Sequence, residues 1–292
     1  MSDRLADVRA RIESVRQLGQ VFNALRGLAA ARAQTARNQL VAVDAYARTI
    51  AAAIGRALAL APGRMEPDSA HRPGRAGLVV FAAEQGFAGA MSERVLASLG
   101  AALATDELFL VGARGADVAA QRGVKPFWTC AAAAHGAGAP KLADRIAEAL
   151  FARLAAGKIA RLDVAFTNWT AGRGFEVTRR RLFPLAPELF VLPGDSEPPL
   201  VQLASETLLR DLAADYLHAQ LCQAALHAFA AENQARMEAM AAARRQVDDK
   251  LKLLRADERR VRQEEITDEI IELSSGQIAA RQQSRRRSRP SQ

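Results

Sequence analysis

Proline is missing from both ends of this chain. All 11 prolines fall between Pro62 and Pro199 or at Pro290, so residues 1–61 and 200–289 contain no forced helix break. Cysteine is scarce: Cys130 and Cys222 are the only two in 292 residues. Their separation fits neither a disulfide framework nor a cysteine metal cluster, and a reduced setting with two structural thiols is expected. The four histidines, His71, His135, His218 and His227, show no ligand spacing, and His218 and His227 point to different faces of a helix. No metal and no cofactor is expected. Aromatic residues make up 5% of the chain, which leaves little for stacking on bases. No stretch reaches the roughly 18 consecutive apolar residues of a membrane-spanning helix. The start, MSDRLADVRAR, is charged throughout and does not read as a signal peptide. A soluble or peripheral protein is expected.

What is present is helical periodicity. Apolar or alanine positions run Leu5, Val8, Ile12, Val15, Leu18, Phe22, Leu25, Ala29, Ala33, Ala36, Leu40, Val43, Ala47, Ile50, Ile54 and Leu58. Steps of three and four, averaging about 3.5, make a coiled-coil seam. One helix of that length reaches roughly 80–90 Å and must project from any small domain. A second stripe follows at Leu209, Leu212, Leu217, Leu221, Phe229, Met237, Met240, Val247, Leu251, Leu254, Val261, Ile266, Ile270 and Leu273. Within it, residues 244–262 are strongly charged and read as a solvated face or one that meets a charged partner. A chain that begins and ends this way can fold back and pair its own ends.

Between the ends, strands and helices alternate. Residues 77–83 (GLVVFAA) and 107–112 (ELFLVG) read as strands, and 124–129 as a third. Residues 92–103 and 141–154 read as helices, and 162–169 with 175–182 as two antiparallel strands joined by a Gly-rich turn. Such alternation implies a mostly parallel sheet covered on both faces. The expected fold is α/β plus long helices: an antiparallel coiled coil of the terminal helices with a Rossmann-like α/β domain inserted between them. The expected division is a coiled-coil helix at 1–61, an α/β domain at 75–195, a second coiled-coil helix at 200–280 and a basic disordered tail at 281–292.

No segment carries a catalytic signature. The loop Glu84–Ala90 (EQGFAGA) follows a strand and opens a helix, where phosphate loops are placed, but it has neither G-x-G-x-x-G nor a Lys at the helix start; its glycines read as serving a tight turn. The acidic face of Glu264, Glu265, Asp268, Glu269 and Glu272 reads as solvated. Lys+Arg 40 against Asp+Glu 32 gives a net charge of +8, concentrated in the first helix and the tail. That balance supports a second class, a basic coiled-coil nucleic-acid binder. Against it, the charge is not gathered on one reading element.

Two pairs of segments are specific. At the start stand VRARIESVR (Val8–Arg16) and ALRGLAAAR (Ala24–Arg32); near the end, ENQARMEAM (Glu232–Met240) and VRQEEITDEIIELSSG (Val261–Gly276). In order and spacing they resemble the gamma subunit of F-type ATP synthases, where I-R-x-R-I-x-S-V and A-M-K-M-V-A-A-A-K are followed by E-N-A-x-R-M-x-A-M and R-x-R-Q-x-x-I-T-x-E-I-x-E-I-x-x-G. The resemblance spans nearly the whole chain. The family's D-R-G-L-C-G-G is EQGFAGA here, its two Met positions hold Leu25 and Gly27, its Tyr-Asn is Glu258-Arg259, and an Arg-rich tail is added. These departures fit the divergent bacterial type carried as a second, N-ATPase-like enzyme. The resemblance implies a non-catalytic central rotor at the cytoplasmic face of the bacterial inner membrane. Its partners would be the alpha and beta subunits of the head, the epsilon subunit and the membrane c-ring, and rotation would couple to nucleotide sites elsewhere. It also points to Arg26, Arg32, Arg259, Arg260, Arg262 and Gln263 as contacts with beta-subunit loops.

Overall fold

A proline-free run with apolar positions three and four apart has no reason to break, and it does not. In the computed structural model, helix α1 spans Ser2–Leu60 and helix α6 spans Ser205–Arg287. The structure describes residues 2–60, 74–170, 172–185, 190 and 200–287. Between the two helices come β1 (Arg75–Phe81), α2 (Met91–Leu99), α3 (Ala102–Thr105), β2 (Glu107–Val111), α4 (Ala113–Gln121), β3 (Trp128–Cys130), α5 (Ala139–Ala155), β4 (Ile159–Thr170) and β5 (Gly174–Phe183). The described residues form two compact units, Arg26–Ala239 and Met1–Leu25 with Met240–Gln292.

The larger unit is built on one five-stranded sheet of order β3-β2-β1-β4-β5. β1 runs parallel to both β2 and β4, and only β5 is antiparallel, paired with β4. The run LVVF of β1 is buried on both faces, as a central parallel strand must be. The pleat divides it. Leu78 and Val80 pack with Val95, Leu96 and Leu99 of α2 and with Val118 of α4. Val79 and Phe81 join Leu142, Ile146 and Leu150 of α5, Ala36 and Leu40 of α1, and Leu217, Leu221 and Ala224 of α6. The two long helices therefore form one of the layers that cover the sheet.

Carboxylates fasten this layer to the strand ends. Glu84 accepts hydrogen bonds from the backbone N–H of Ala113 (3.0 Å) and Ala132 (2.7 Å), joining the loops that follow β1, β2 and β3. Glu232 of α6 accepts from the N–H of Glu84 (3.0 Å) and Gln85 (3.1 Å), and its charge is balanced by Arg236 one turn on. At Gly112 the backbone adopts φ 114, and an added Cβ would stand 2.5 Å from the Ala82 carbonyl oxygen, so only glycine fits.

In the smaller unit α1 and α6 run antiparallel, with Arg9 paired to Glu258 at 2.9 Å and Arg4 to Glu264 at 3.4 Å. Val247, Leu251, Leu254 and Val261 of α6 are buried at heptad-like spacing. The helices approach closely at Gly19, where a Cβ would lie 2.9 Å from Val247 Cγ1 and 2.6 Å from Arg244 Nη1.

The structure departs from the sequence reading in five places. The seam passes through buried Gly19, while Leu18 and Leu25 are exposed; close approach at a glycine turns the leucines away. Ile266, Ile270 and Leu273 are exposed as well, because Ile266 stands five residues past Val261, roughly 140° round the helix and off the buried row. The helix expected at 92–103 breaks at Gly100, φ 51, and resumes as α3. The third strand keeps only Trp128–Cys130: Val124 N–H caps α4 through Ala119 O, and Pro126 has no N–H for a ladder. The basic segment expected to be disordered from 281 is helical to Arg287. It holds no proline before Pro290 and consists mostly of good helix formers. The 61–73 and 193–199 segments lie outside the described residues, as do 288–292.

Two substitutions test these contacts. Glu232→Ala leaves two backbone N–H groups without their acceptor and Arg236 without its carboxylate partner, and is expected to cost about 3 kcal/mol or more, read as a lower urea midpoint at unchanged slope. Gly19→Leu is expected to cost about 1–3 kcal/mol by overpacking the close contact with Val247 and Arg244, whereas Leu18→Ala costs under about 1 kcal/mol, with circular dichroism melts as the measurement.

Candidate functional site

The residues singled out for partner contact lie on the two long helices, and each is available to solvent. Arg26 is exposed and Arg32 half-buried on the α1 portion of the larger unit. Arg259, Arg260, Arg262 and Gln263 are exposed on α6 in the smaller unit. Arg260 is held within its own helix by Asp257 and Glu264, both at 3.2 Å. Arg259 and Arg262 align instead with Arg255, also exposed, at positions i, i+4 and i+7, which form one row on a helix surface. Arg255 was not singled out in the sequence; helical spacing alone could have found it. The Gln263 carbonyl accepts the Thr267 hydroxyl at 2.8 Å.

The smaller unit also exposes large apolar side chains in rows. Leu18, Val21 and Leu25 are between 36% and 52% exposed on α1, and Ile266, Ile270 and Leu273 between 50% and 66% on α6. Rows of this kind mark contact surfaces. Their internal steps of three and four match those of seam positions, and on α6 only the step of five from Val261 to Ile266 signals a change of face.

A polar network in the larger unit was likewise illegible in sequence. Gln223 donates to Asp44 of α1 at 2.6 Å, and Arg180 of β5 donates to both Gln220 and Gln223 at 2.5 Å. Arg37 of α1 reaches Gln234 of α6 at 3.0 Å and lies 4.8 Å above the Trp169 ring. These bonds set how the hairpin of β4 and β5 lies on the helix layer. Beside them His227 stacks on Phe166, and burial pushes its imidazole below the usual range.

One trio has the residue types of a nucleophilic site. His218 Nε2 lies 3.0 Å from Asp144, and Cys222 Sγ lies 3.8 Å from His218 Nδ1. The thiol is buried and is thereby pushed up to about 12. A nucleophilic cysteine needs the opposite shift, so the trio reads as packing. Burial likewise raises Cys130 to about 11. Among the described residues, no group of three or more His, Cys, Asp or Glu could hold a metal ion, and no helix is long and apolar enough to cross a membrane.

Comparison with known proteins agrees with this architecture. A family model described as ATP synthase matches residues 4–280. The chain is 28% identical to the ATP synthase gamma chain of Frankia casuarinae, over 94% of this chain and 97% of the relative. It is 25% identical to that of Pelodictyon phaeoclathratiforme, over 93% and 97%. The fold is that of the Euglena gracilis mitochondrial ATP synthase rotor, with TM-score 0.65 at 12% identity over 91% of this chain and 100% of that one. A central-stalk chain of the Tetrahymena thermophila mitochondrial enzyme matches with TM-score 0.54 at 16% identity, over 76% and 99%. Two proline-free terminal helices paired antiparallel, a mostly parallel sheet inserted between them, and a family match across nearly the whole length have one meaning: the chain belongs to the ATP synthase gamma-chain family.

Proposed function

We propose that the chain is the central-stalk rotor subunit, gamma, of an F-type ATP synthase or ion-translocating ATPase, and that it couples rotation to conformational change in a catalytic head of alpha and beta subunits. Family membership over residues 4–280 carries this reading. In it, the paired helices of 1–61 and 200–280 stand within the head. The α/β domain of 75–195 meets the epsilon subunit and the membrane c-ring at the cytoplasmic face of a bacterial inner membrane. The basic C-terminal segment 281–292 follows as an added element. Arg26, Arg32, Arg259, Arg260, Arg262 and Gln263 meet beta-subunit loops, and Arg255 joins them.

The surface suits such a task. A rotor must resist bending, which paired helices supply, and must not stick in its bearing, which scattered charge and short apolar rows achieve better than a large apolar patch. It must also bias chemically identical catalytic subunits toward different nucleotide affinities. That requires differential contacts worth a few kcal/mol per state, while the chemistry itself stays in the partner subunits. The nucleic-acid reading rested on the net charge and the Arg-rich end, and nothing further in the structure favours it.

The purified chain alone is expected to hydrolyse no ATP and to restore activity when mixed with alpha and beta subunits in a coupled-enzyme assay. Turnover by the chain by itself would refute the rotor reading. Stiffness is tested with proline. Ala36 and Leu251 are both buried in long helices, and proline there costs about 3 kcal/mol or more and kinks the axis. Ala36→Pro or Leu251→Pro is expected to abolish ATP-driven ion pumping by the reconstituted complex, while a proline introduced at Ser69 leaves it near the wild-type rate. Full pumping by all three variants would rule out a rigid coupling element.

A further inference from the structure

The sheet order reverses between β1 and β4, which are parallel neighbours. In open α/β sheets the crevice outside the carboxyl ends of two such strands is where small ligands bind. On the β4 side of that point, between α2, the hairpin of β4 and β5, and α6, lies a cavity of about 540 Å³ within the larger unit, in the size range of small-molecule sites. Its apolar walls come from Met91 and Val95 of α2 and from Phe175 and Val177 of β5. The loop after β1 reaches it through Gly89, whose φ of 58 turns the chain into the start of α2.

Three polar features converge there. The first is Thr167 at the carboxyl end of β4. It lines the cavity, the residue is 2% exposed, and its hydroxyl has no hydrogen-bond partner among the described residues. A buried hydroxyl left unpaired is costly unless something meets it. The second is the N-terminus of α2, a nine-residue helix whose cap residue, Ala90, offers no side-chain hydrogen bond; its first N–H groups and dipole favour negative charge. The third is Arg94, one turn into the same helix, which donates to the Phe175 carbonyl at 3.2 Å and adds a positive charge at the wall. The remaining charged lining group is Glu238 of α6, which accepts from Gln234. Its negative charge disfavours a second or third anionic group.

We propose that this cavity binds a small amphipathic monoanion, a carboxylate carrying a compact apolar body. The carboxylate meets Arg94, the α2 N-terminus and the Thr167 hydroxyl, and the body lies against Met91, Val95, Phe175 and Val177. Polyphosphates are rejected by Glu238.

Binding to the full-length chain, without other subunits, tests the cavity separately from the rotor reading. Calorimetric titration with 1-naphthylacetate and with decanoate is expected to show one saturable site of sub-millimolar affinity for at least one of them, and none for ADP. Arg94→Gln should weaken binding roughly tenfold and Thr167→Val roughly threefold, by loss of a charge-assisted and a neutral hydrogen bond. Glu238→Gln should tighten it about twofold or more, a gain that damage to the fold cannot produce. Melting curves of the three variants should stay within a few degrees of wild type, because Arg94 is exposed and valine replaces Thr167 at equal volume. The assignment is overturned if neither carboxylate saturates, if affinity is indifferent to both Arg94→Gln and Thr167→Val, or if ADP binds as tightly as the carboxylates.

Discussion

The close approach of α1 and α6 is the constraint on which the larger unit depends. Ala29, Ala33 and Ala36 on one helix and Ala224, Ala228, Ala231 and Ala235 on the other are all buried. Small side chains let helix axes approach, and they leave the larger residues free to point elsewhere. Leu217, Leu221 and Leu226 accordingly join the sheet side chains Val79, Phe81, Phe109 and Phe166 in one cluster. The helix pair is thus both an element in its own right and one face of the α/β core. A bulky residue at Ala36 or Ala228, which share one cluster with the sheet side chains, would separate the helices and open the sheet core at the same time.

Apolar packing does not by itself choose an orientation, and the polar contacts do. Glu232 holds the two peptide groups at the end of β1, and Glu84 in turn holds the loops after β2 and β3. One chain of carboxylate-to-backbone bonds therefore runs from α6 across the carboxyl edge of three strands. Charge-assisted bonds of this kind are directional and short, so they specify where the sheet sits along the helix. The Asp44–Gln223–Arg180 network does the same for the hairpin of β4 and β5.

Much of the fold was legible because it repeats. The antiparallel hairpin of β4 and β5, the parallel strands β1 and β2, and both terminal helices follow from periods of 2 and 3.6 and from where proline is missing. The candidate contact residues were legible only as matches to a family pattern, which names positions but not surroundings. That pattern marked Glu232 and Arg236, yet nothing local shows that the Glu232 carboxylate meets peptide groups 148 and 147 residues earlier in the chain. The switch-point cavity was hidden more deeply. Ala88, Thr167 and Ala235 are unremarkable in sequence and share a wall only once the turn into α2, β4 and α6 are assembled.

By itself, the sequence determined the helical ends, the alternating middle and the antiparallel pairing, because each rests on local propensity and short-range periodicity. The tertiary structure decided which side of each helix is buried. Leu18 and Gly19 are neighbours on one amphipathic helix; α6 comes close at the glycine, so the leucine faces water. Ile266 stands only five residues past Val261 but roughly 140° round the helix from it, so Val261 is buried and Ile266 faces water. Period states that a side chain is apolar and which row it occupies. Burial depends on where the partner lies, and that is settled only when segments more than two hundred residues apart in the chain meet.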